Sequence, residues 1–178
     1  MDRSNLSPDP VTDALGYQQM LLDLLGEEDP HEVQSSTARG LRELVADAGD
    51  QLSLRPEPKE WSVQGCIAHL TDAEVMMSGR YRIVLAHDEP PLVPYDQDLW
   101  ADRLHSESES VQDLLAFFEP LRRANLALWS RSDATQRARI GQHAERGPES
   151  FDLMFRMIAG HDRFHIAQAR RALEAVRR

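Results

Sequence analysis

Apolar residues recur at intervals of three and four positions through the middle of the chain, and this spacing constrains the fold more than any other sequence feature. The series is Val63, Cys66, Ile67, Leu70, Ala73, Met77, Tyr81 and Val84. Such spacing places one apolar stripe along a single face of an α-helix. Ser62 is a good N-cap residue, and Trp61 before it can pack on the first turn as a hydrophobic staple. The pattern predicts an amphipathic helix from Ser62 to about Ala86.

The same spacing predicts four more helices, and no segment alternates convincingly as a strand would. Their approximate bounds are 11–25, 31–48, from Ser106 or Ser108 to Trp129, and 150–176. Pro120 should kink the fourth of the five helices. The proline-rich stretch "HDEPPLVPYD" at 87–96 and the polar segment 130–148 are predicted to be loops. The fold class is therefore predicted to be all-α.

Length and charge narrow the class of protein. A chain of 178 residues, 41% of them hydrophobic, suits one soluble globular domain. Its 30 acidic and 20 basic residues give a formal net charge of -10, which disfavours binding to a nucleic-acid backbone. The sequence shows neither a run of roughly 18 apolar residues nor a signal-peptide pattern at its start. We therefore expect a cytoplasmic protein that binds neither nucleic acid nor membrane. Cys66, the single cysteine, excludes an internal disulfide and is predicted to lie in the core.

Two histidines, His161 and His165, interrupt the apolar stripe of the last predicted helix. They lie three and seven positions after Ile158, where the helical period calls for apolar side chains. A buried imidazole without a partner costs about 1–3 kcal/mol, whereas a divalent metal accepts a lone pair from each neutral ring and removes that cost. Two alternatives remain open: both rings are hydrogen-bonded in the core, or the helix is rotated and both are exposed. The metalloprotease motif needs glutamate directly after the first histidine, and Asp162 there excludes that mechanism.

A two-histidine site needs at least one more ligand, and His69 is the best candidate in the sequence. It lies two turns into the 62–86 helix, at the edge of the apolar stripe. We interpret His31, His87 and His105 as solvated, because they occupy helix ends or polar runs. His143, in the predicted loop 130–148, could reach a site.

Three motifs together resemble one family of helical bundles, the DinB-like and YfiT-like proteins. "EWSVQGCIAHLTDAE" at 60–74 is similar to the family's Trp-Ser followed by His-Leu-x-Asp, and "GHDRFHIAQ" at 160–168 is similar to its C-terminal His-x-x-x-His. "PYDQDLWAD" at 94–102 resembles the proline–tyrosine–aspartate loop of YfiT-like members. The resemblance implies an up-and-down four-helix bundle with an additional N-terminal helix. It divides the single domain 1–178 into an N-terminal extension, 1–28, and a family-like core, 29–177.

The resemblance also implies a metal site and a homodimer. Carried over by motif, the metal ligands are His69, His161 and His165. Some members of the family are described as metal-dependent hydrolases, others are S-transferases that use the thiol bacillithiol, and others are mycothiol-dependent isomerases.

Three neutral histidines would leave a metal ion with open coordination positions, which is typical of catalytic sites. Imidazole ligands suit zinc and nickel alike. Activated water would make the protein a hydrolase, and an activated low-molecular-weight thiol would make it an S-transferase, in both cases with a small-molecule substrate. The alternative is a non-enzymatic dimeric protein that binds a metal or a small molecule without turnover.

Four further residues are candidates for this site. Asp72 and Asp162 each lie near a candidate ligand on the same helix, so either could orient an imidazole ring or accept a proton. Tyr95 and Asp96 are the loop residues that we expect to line the pocket mouth. The alternatives are a solvated helix face for the two aspartates and a plain turn for the loop residues.

Overall fold

The structure, a computed structural model, describes residues 8–10, 12–106 and 108–178. Its helices are α1 Ala14–Leu25, α2 Pro30–Ala48, α3 Val63–Ala86, α4 Gln97–Leu104, α5 Val111–Arg131, α6 Ala134–Arg137 and α7 Phe151–Val176. Its strands are β1 Pro91–Leu92, β2 Ile140–His143 and β3 Gly147–Ser150. The predicted all-α class, a four-helix bundle with an N-terminal helix, is confirmed, with a minor sheet added. Within the described residues, no helix combines the length and the apolar character that crossing a membrane requires.

The two helices that carry the candidate histidines begin at side-chain caps. The hydroxyl of Ser62 accepts a hydrogen bond from the amide of Gly65 at the start of α3. The hydroxyl of Ser150 accepts one from the amide of Leu153 at the start of α7. These bonds satisfy amide groups that have no partner within the helix. Both helices consequently begin within one residue of their predicted positions.

Four long helices, α2, α3, α5 and α7, form the bundle. Both α2 and α3 pack against α5 and α7, so α2 and α3 lie diagonally opposite each other although they are consecutive along the chain. α2 runs parallel to α7, because Gln34 near the start of α2 donates to the carbonyl of Phe155, and Asp47 near its end pairs with Arg177. α5 is continuous past Pro120, which therefore does not end the helix.

α3 runs antiparallel to α7. Near the start of α3, His69 contacts His165 in the second half of α7, and near the end of α3, Tyr81 contacts Phe151 at the beginning of α7. The helix that carries one candidate ligand thus meets the helix that carries the other two.

α5 runs parallel to α3. Gln64 at the start of α3 donates to the carbonyl of Glu109, just before α5, and Ser78 further along α3 accepts a hydrogen bond from Asn125 of α5. The helices α2, α3, α5 and α7 therefore run up, down, down and up. The chain reverses direction between α2 and α3 and between α5 and α7, but α3 and α5 run the same way. The connection 87–110 must therefore return the chain along the bundle before α5 begins.

The additional N-terminal helix α1 packs against α7. Tyr17, Leu21 and Leu25 are buried on its inner face. A Cβ placed on Gly160 of α7 would lie 1.8 Å from the carbonyl oxygen of Leu21, so only glycine permits this close crossing. The predicted start of this helix, Val11, lies outside the described residues, and the helix begins at Ala14.

The prediction that the chain contains no strand, with loops at 87–96 and 130–148, was wrong. β1 lies within the first segment and pairs in parallel with β2, which pairs antiparallel with β3. The segment 130–148 also contains the short helix α6, which begins with a capping box of Asp133 and Gln136, and α4 was not predicted at all. Strands of two to four residues are too short to show alternation, and the pairing of β1 with β2 connects segments about fifty residues apart.

Two apolar clusters fill the bundle, and a polar layer separates them. One cluster includes Ile67, Leu70, Phe118, Ala169 and Leu173. The other includes Tyr81, Val84, Phe151, Phe155 and Ile158. His161 and His165 lie in α7 between Ile158 of one cluster and Ala169 of the other, so the polar layer is where the candidate site forms. Cys66 is fully buried in the first cluster, as predicted.

Candidate metal centre

The structure brings His69, His161 and His165 together in the core. The Nε2 atoms of His69 and His161 are 3.0 Å apart. The ring of His165 lies 4.4 Å from each of the other two rings, measured between centroids. One potential ligand atom from each residue lies within 4.8 Å of the other two. The spacing of four residues on α7 and the antiparallel contact with α3 together produce this triangle.

Burial keeps the three imidazoles uncharged. Their side chains belong to residues only 2–6% exposed. Burial, and then the neighbouring histidines, lower the pKa of His69 and of His161 well below the ordinary value. Burial lowers the pKa of His165 to about 4, although a hydrogen bond to Gln168 opposes the shift. At neutral pH all three rings therefore carry a free lone pair, as metal ligation requires.

The hydrogen bonds of the rings fit a bound cation better than a self-contained polar cluster. Nδ1 of His165 lies 2.9 Å from Oε1 of Gln168, which accepts its proton, so the lone pair of this ring is on Nε2. That Nε2 atom and Nδ1 of His161 are buried without a hydrogen-bond partner among the described residues. A divalent ion would accept the lone pair of His165 and relieve the close approach of the other two Nε2 atoms. The cluster therefore supports a divalent metal ion as the cofactor.

Trp61 covers one side of the cluster. Its ring stacks on His165 at a centroid distance of 5.7 Å and lies tilted on His69 at 4.7 Å. Trp61 was predicted to pack on the first turn of α3 and belongs to the Trp-Ser motif, but neither it nor Gln168 was predicted to contact the histidines. The signal for Gln168 was its position three residues after His165 on the same helix.

Asp162 is buried in an ion-pair network instead of contacting a histidine ring. Its carboxylate accepts hydrogen bonds from Arg122, at 3.1 Å from Nη2, and from the Thr37 hydroxyl at 2.7 Å. Arg122 also pairs with Glu74, at 2.7 Å. Asp162 of α7 is thus held by α2 and α5, and a role in catalysis remains a prediction.

Asp72 pairs with His105, a histidine that was predicted to be solvated. His105 lies between two carboxylates, with Nε2 2.8 Å from Asp72 and Nδ1 2.7 Å from Glu109. Burial raises the pKa of Asp72, and the hydrogen bond to His105 partly offsets the effect. The interpretation of His105 was wrong because the partner carboxylates come from α3 and from the segment before α5, which the sequence does not place together.

A cavity of about 150 Å³ reaches His161 from the surface. Tyr95 and Asp96, the predicted pocket residues, both line it. Asp96 also caps α4 by accepting a hydrogen bond from the amide of Leu99. Burial raises the pKa of Tyr95 to about 12, so its hydroxyl stays protonated and can donate a hydrogen bond.

Several further polar residues of this cavity wall were not assigned to the site from the sequence, and three of them carry basic side chains. They are Arg80 of α3, His143 of β2 and Arg146 of the turn between β2 and β3. His143 was noted only as a residue that could reach a site from the predicted loop. Its placement depends on the parallel pairing of β1 with β2.

A family model described as the DinB superfamily matches residues 35–169, well over half of the chain. A curated relative from Oceanobacillus iheyensis is 26% identical over 130 residues, covering 72% of this chain and 75% of the relative. A second protein of that organism is 24% identical over 151 residues, covering 82% and 86% of the two chains. A protein from Halalkalibacterium halodurans is 25% identical over 126 residues, covering 70% and 73%. All three bear the name "putative metal-dependent hydrolase".

The solved structure of YfiT from Bacillus subtilis superposes on this fold with a TM-score of 0.73 at 20% identity, covering 99% of this chain and 91% of YfiT. YfiT is described as "a probable metal-dependent hydrolase with an unusual four-helix bundle topology". At this identity the likeness concerns the fold alone. The match to the family model extends over most of the bundle, and the chain therefore belongs to the DinB superfamily.

Proposed function

We propose that this protein is a metal-dependent hydrolase whose substrate is a small molecule bound in the cavity beside His161. The observation that carries the proposal is the buried triangle of three uncharged histidines at the end of a cavity. The names of the curated relatives support a metal-dependent hydrolase as the general class.

The three histidines would hold the ion, and Gln168 would keep the His165 ring in the ligating orientation. A divalent ion held by three histidines supplies Lewis-acid activation of water near neutral pH. Imidazole ligands suit zinc and nickel equally, so we propose one of these two metals.

Among the donors that the chain supplies to the cavity are the neutral side chains of His143 and Tyr95. Nδ1 of His143 accepts a hydrogen bond from the Glu145 amide at 3.3 Å, which leaves the proton of the neutral ring on Nε2. Burial and the charge of Arg146 lower the pKa of His143, so the ring is neutral at pH 7. The protonated hydroxyl of Tyr95 is the second donor. Donors of this kind orient a carbonyl oxygen of the substrate.

S-transfer is the related reaction that the same site would support if a thiol replaced water. Burial raises the pKa of the Cys66 thiol to about 12. The nucleophilic thiol would therefore have to be a low-molecular-weight co-substrate from solution.

Activity assays on zinc-loaded and nickel-loaded protein test the proposal. We expect about one metal ion per chain, and metal-dependent cleavage of at least one member of a panel of small esters and amides. His161→Ala should lose both metal and turnover, whereas His87→Ala, at an exposed helix end, should keep both.

The other possible outcomes identify the alternatives. Metal-dependent conjugation of a chlorinated aromatic to bacillithiol, mycothiol or glutathione, without hydrolysis, would make the protein an S-transferase. A metal that raises the melting temperature without supporting any turnover would make it a binding protein and would overturn the proposal.

A further inference from the structure

Arg80 is a buried cation whose charge is not balanced by a carboxylate. The residue is only 7% exposed. Its Nε and Nη2 atoms both donate to one backbone carbonyl, that of Val93, and Nη1 is 3.9 Å from the sulfur of Met77. Among the described residues, no carboxylate lies within 4.0 Å of its guanidinium nitrogens. A buried charge normally requires a partner, because desolvation is costly.

Two other guanidinium groups, that of buried Arg122 and that of half-buried Arg146, do have carboxylate partners. Arg122 pairs with both Glu74 and Asp162. Arg146 pairs with Glu149, at 2.5 Å. Arg80 differs from both: burial and the charge of Arg146 lower its pKa, and the charge of Glu149, which is paired with Arg146, only partly opposes the shift.

Arg80 and Arg146 line the same cavity as His161. The buried carboxylate in this lining is Glu149, so two guanidinium groups face one buried carboxylate and leave one positive charge in excess. Four more carboxylates line the cavity, namely Asp9, Asp96, Asp98 and Glu145, but all four are exposed. Water and salt screen exposed charges far more than buried ones. Burial raises the pKa of Asp98, and the nearby charges of Asp96 and Asp9 raise it further.

We propose that the substrate carries a carboxylate group that binds Arg80 while the reactive group lies at the histidine cluster. The carboxylate would supply the charge that Arg80 lacks and accept hydrogen bonds from Nη1. Apolar side chains of the same cavity, including Met77, Met154 and Ile158, would contact the carbon chain of the ligand. With a volume of about 150 Å³, the cavity suits a small organic acid. The inference rests on the proposed function for the reactive end of the ligand.

Cobalt-substituted protein provides a binding test that does not depend on turnover. The ligands are mercapto acids with two to five carbons and their amides, which differ in charge but hardly in shape. A thiolate bound to cobalt gives a charge-transfer absorption band, from which each Kd is read. For at least one chain length the acid should bind at least tenfold more tightly than its amide.

Variants of Arg80 test whether this residue causes the preference for the acid over the amide. Arg80→Gln should reduce the preference for the acid to less than about threefold, and Arg80→Lys should retain part of it. Arg82→Gln is the matched control, because Arg82 lies on the same helix but outside the cavity lining; it should behave as the native protein. If Arg80→Gln does not fold, the comparison of acids with amides on the native protein still decides the question.

A second measurement separates this inference from the proposed function. Metal-free protein is titrated with butanoate and with butanamide and followed by NMR, which reports on Arg80 without any metal. If the protein does not retain cobalt, the metal site is wrong; in that case, or if no thiol produces the cobalt band, the butanoate titration alone tests Arg80. If acids and amides bind equally in both experiments, the carboxylate inference is overturned.

Discussion

His165 shows how neighbouring residues prepare a side chain for metal binding. Burial lowers its pKa, and Gln168 accepts the proton of Nδ1, which leaves Nε2 as the ligating atom. The same buried position would be unfavourable for a charged imidazole. The protonation state and the ring orientation of His165 therefore depend on its burial and on Gln168, one turn away on the same helix.

Gln168→Ala should weaken metal binding by about 10–100-fold, because the His165 ring loses the acceptor that fixes its orientation. Competition with a chromophoric chelator measures the affinity. Gln112→Ala, on an exposed position of α5, is the matched control and should bind normally. An unchanged affinity in Gln168→Ala would show that packing against Trp61 alone orients the ring.

The stability of the metal-free protein should fall as the pH is lowered from about 6.5 to about 4. The folded-state pKa of His165 is about 4 and the ordinary value is 6.5, so over this range the unfolded chain binds the proton and the folded chain does not. Stability is lost as pH falls through this window, and His165 alone accounts for about 3 kcal/mol. Urea denaturation between pH 7 and pH 4 measures the effect.

His165→Leu should reduce this pH dependence without removing it, because burial also lowers the pKa of His69 and of His161. His87→Ala, at an exposed position, is the control and should leave the native curve unchanged. A native curve with no slope between pH 6.5 and pH 4 would contradict burial as the cause of the lowered pKa.

Among the structural elements, α1 and α4 lie outside the four-helix bundle, α1 packed on α7 and α4 on α3. α1 crosses α7 where Gly160 lets its backbone approach, and α4 has no buried residue among its eight. Each attachment covers part of the candidate site, because Leu21 of α1 and Asp98 of α4 line the cavity.

Gly160→Ala should destabilise the protein by about 2–3 kcal/mol, because the new methyl group would overlap the carbonyl of Leu21 at 1.8 Å and force α1 away from α7. Thermal and urea denaturation measure the loss. Gly79→Ala in α3 is the control: a Cβ there meets no atom within 4 Å, so it should stabilise the helix by about 0.5–1 kcal/mol. Equal stabilities of the two variants would contradict the close crossing.

His105 should control the protection of α4 from hydrogen exchange. Burial lowers its pKa, but the hydrogen bonds to Asp72 and Glu109 outweigh burial and raise the pKa above the ordinary 6.5. The charged imidazole therefore holds α4 most firmly below pH 6.5, and this contribution is lost as pH rises through the folded-state pKa. Protection of the amides of Gln97–Leu104, corrected for intrinsic rates, should fall between pH 6 and pH 8.

His105→Ala should lower that protection at pH 6 and abolish its pH dependence. His87→Ala serves as the comparison. Protection that is the same in His105→Ala and in the native protein would mean that packing alone holds α4.

At the scale of the whole molecule, the family resemblance predicts a homodimer. Leu15 and Leu24 on the outer face of α1 are 61% and 38% exposed in the single chain, and burial of such residues would favour association. Light scattering at micromolar concentration should give about twice the chain mass of 20.2 kDa, and Leu15→Glu should shift the protein towards monomer. A strictly monomeric native protein would contradict the prediction.

The sequence by itself determined the long helices and two of the candidate ligands. A helical period, an N-cap serine and a histidine pair four residues apart are local features, so they can be read without knowing the fold. The bounds of α3 and α7 and the burial of Cys66 followed in this way. His69 was the best candidate for a third ligand from its position at the edge of an apolar stripe, and the family resemblance supported it, because no local rule connects residues 69 and 161.

The tertiary structure alone decided how these elements meet. The up, down, down, up order depends on a connection that returns the chain along the bundle, and β1, β2 and β3 are too short for a periodic signal. His105 was misread and Arg80 was not singled out because their environments come from segments distant along the chain. Burial, ion pairing and cavity shape are properties of packing, and packing between distant segments leaves no periodic trace in a single sequence.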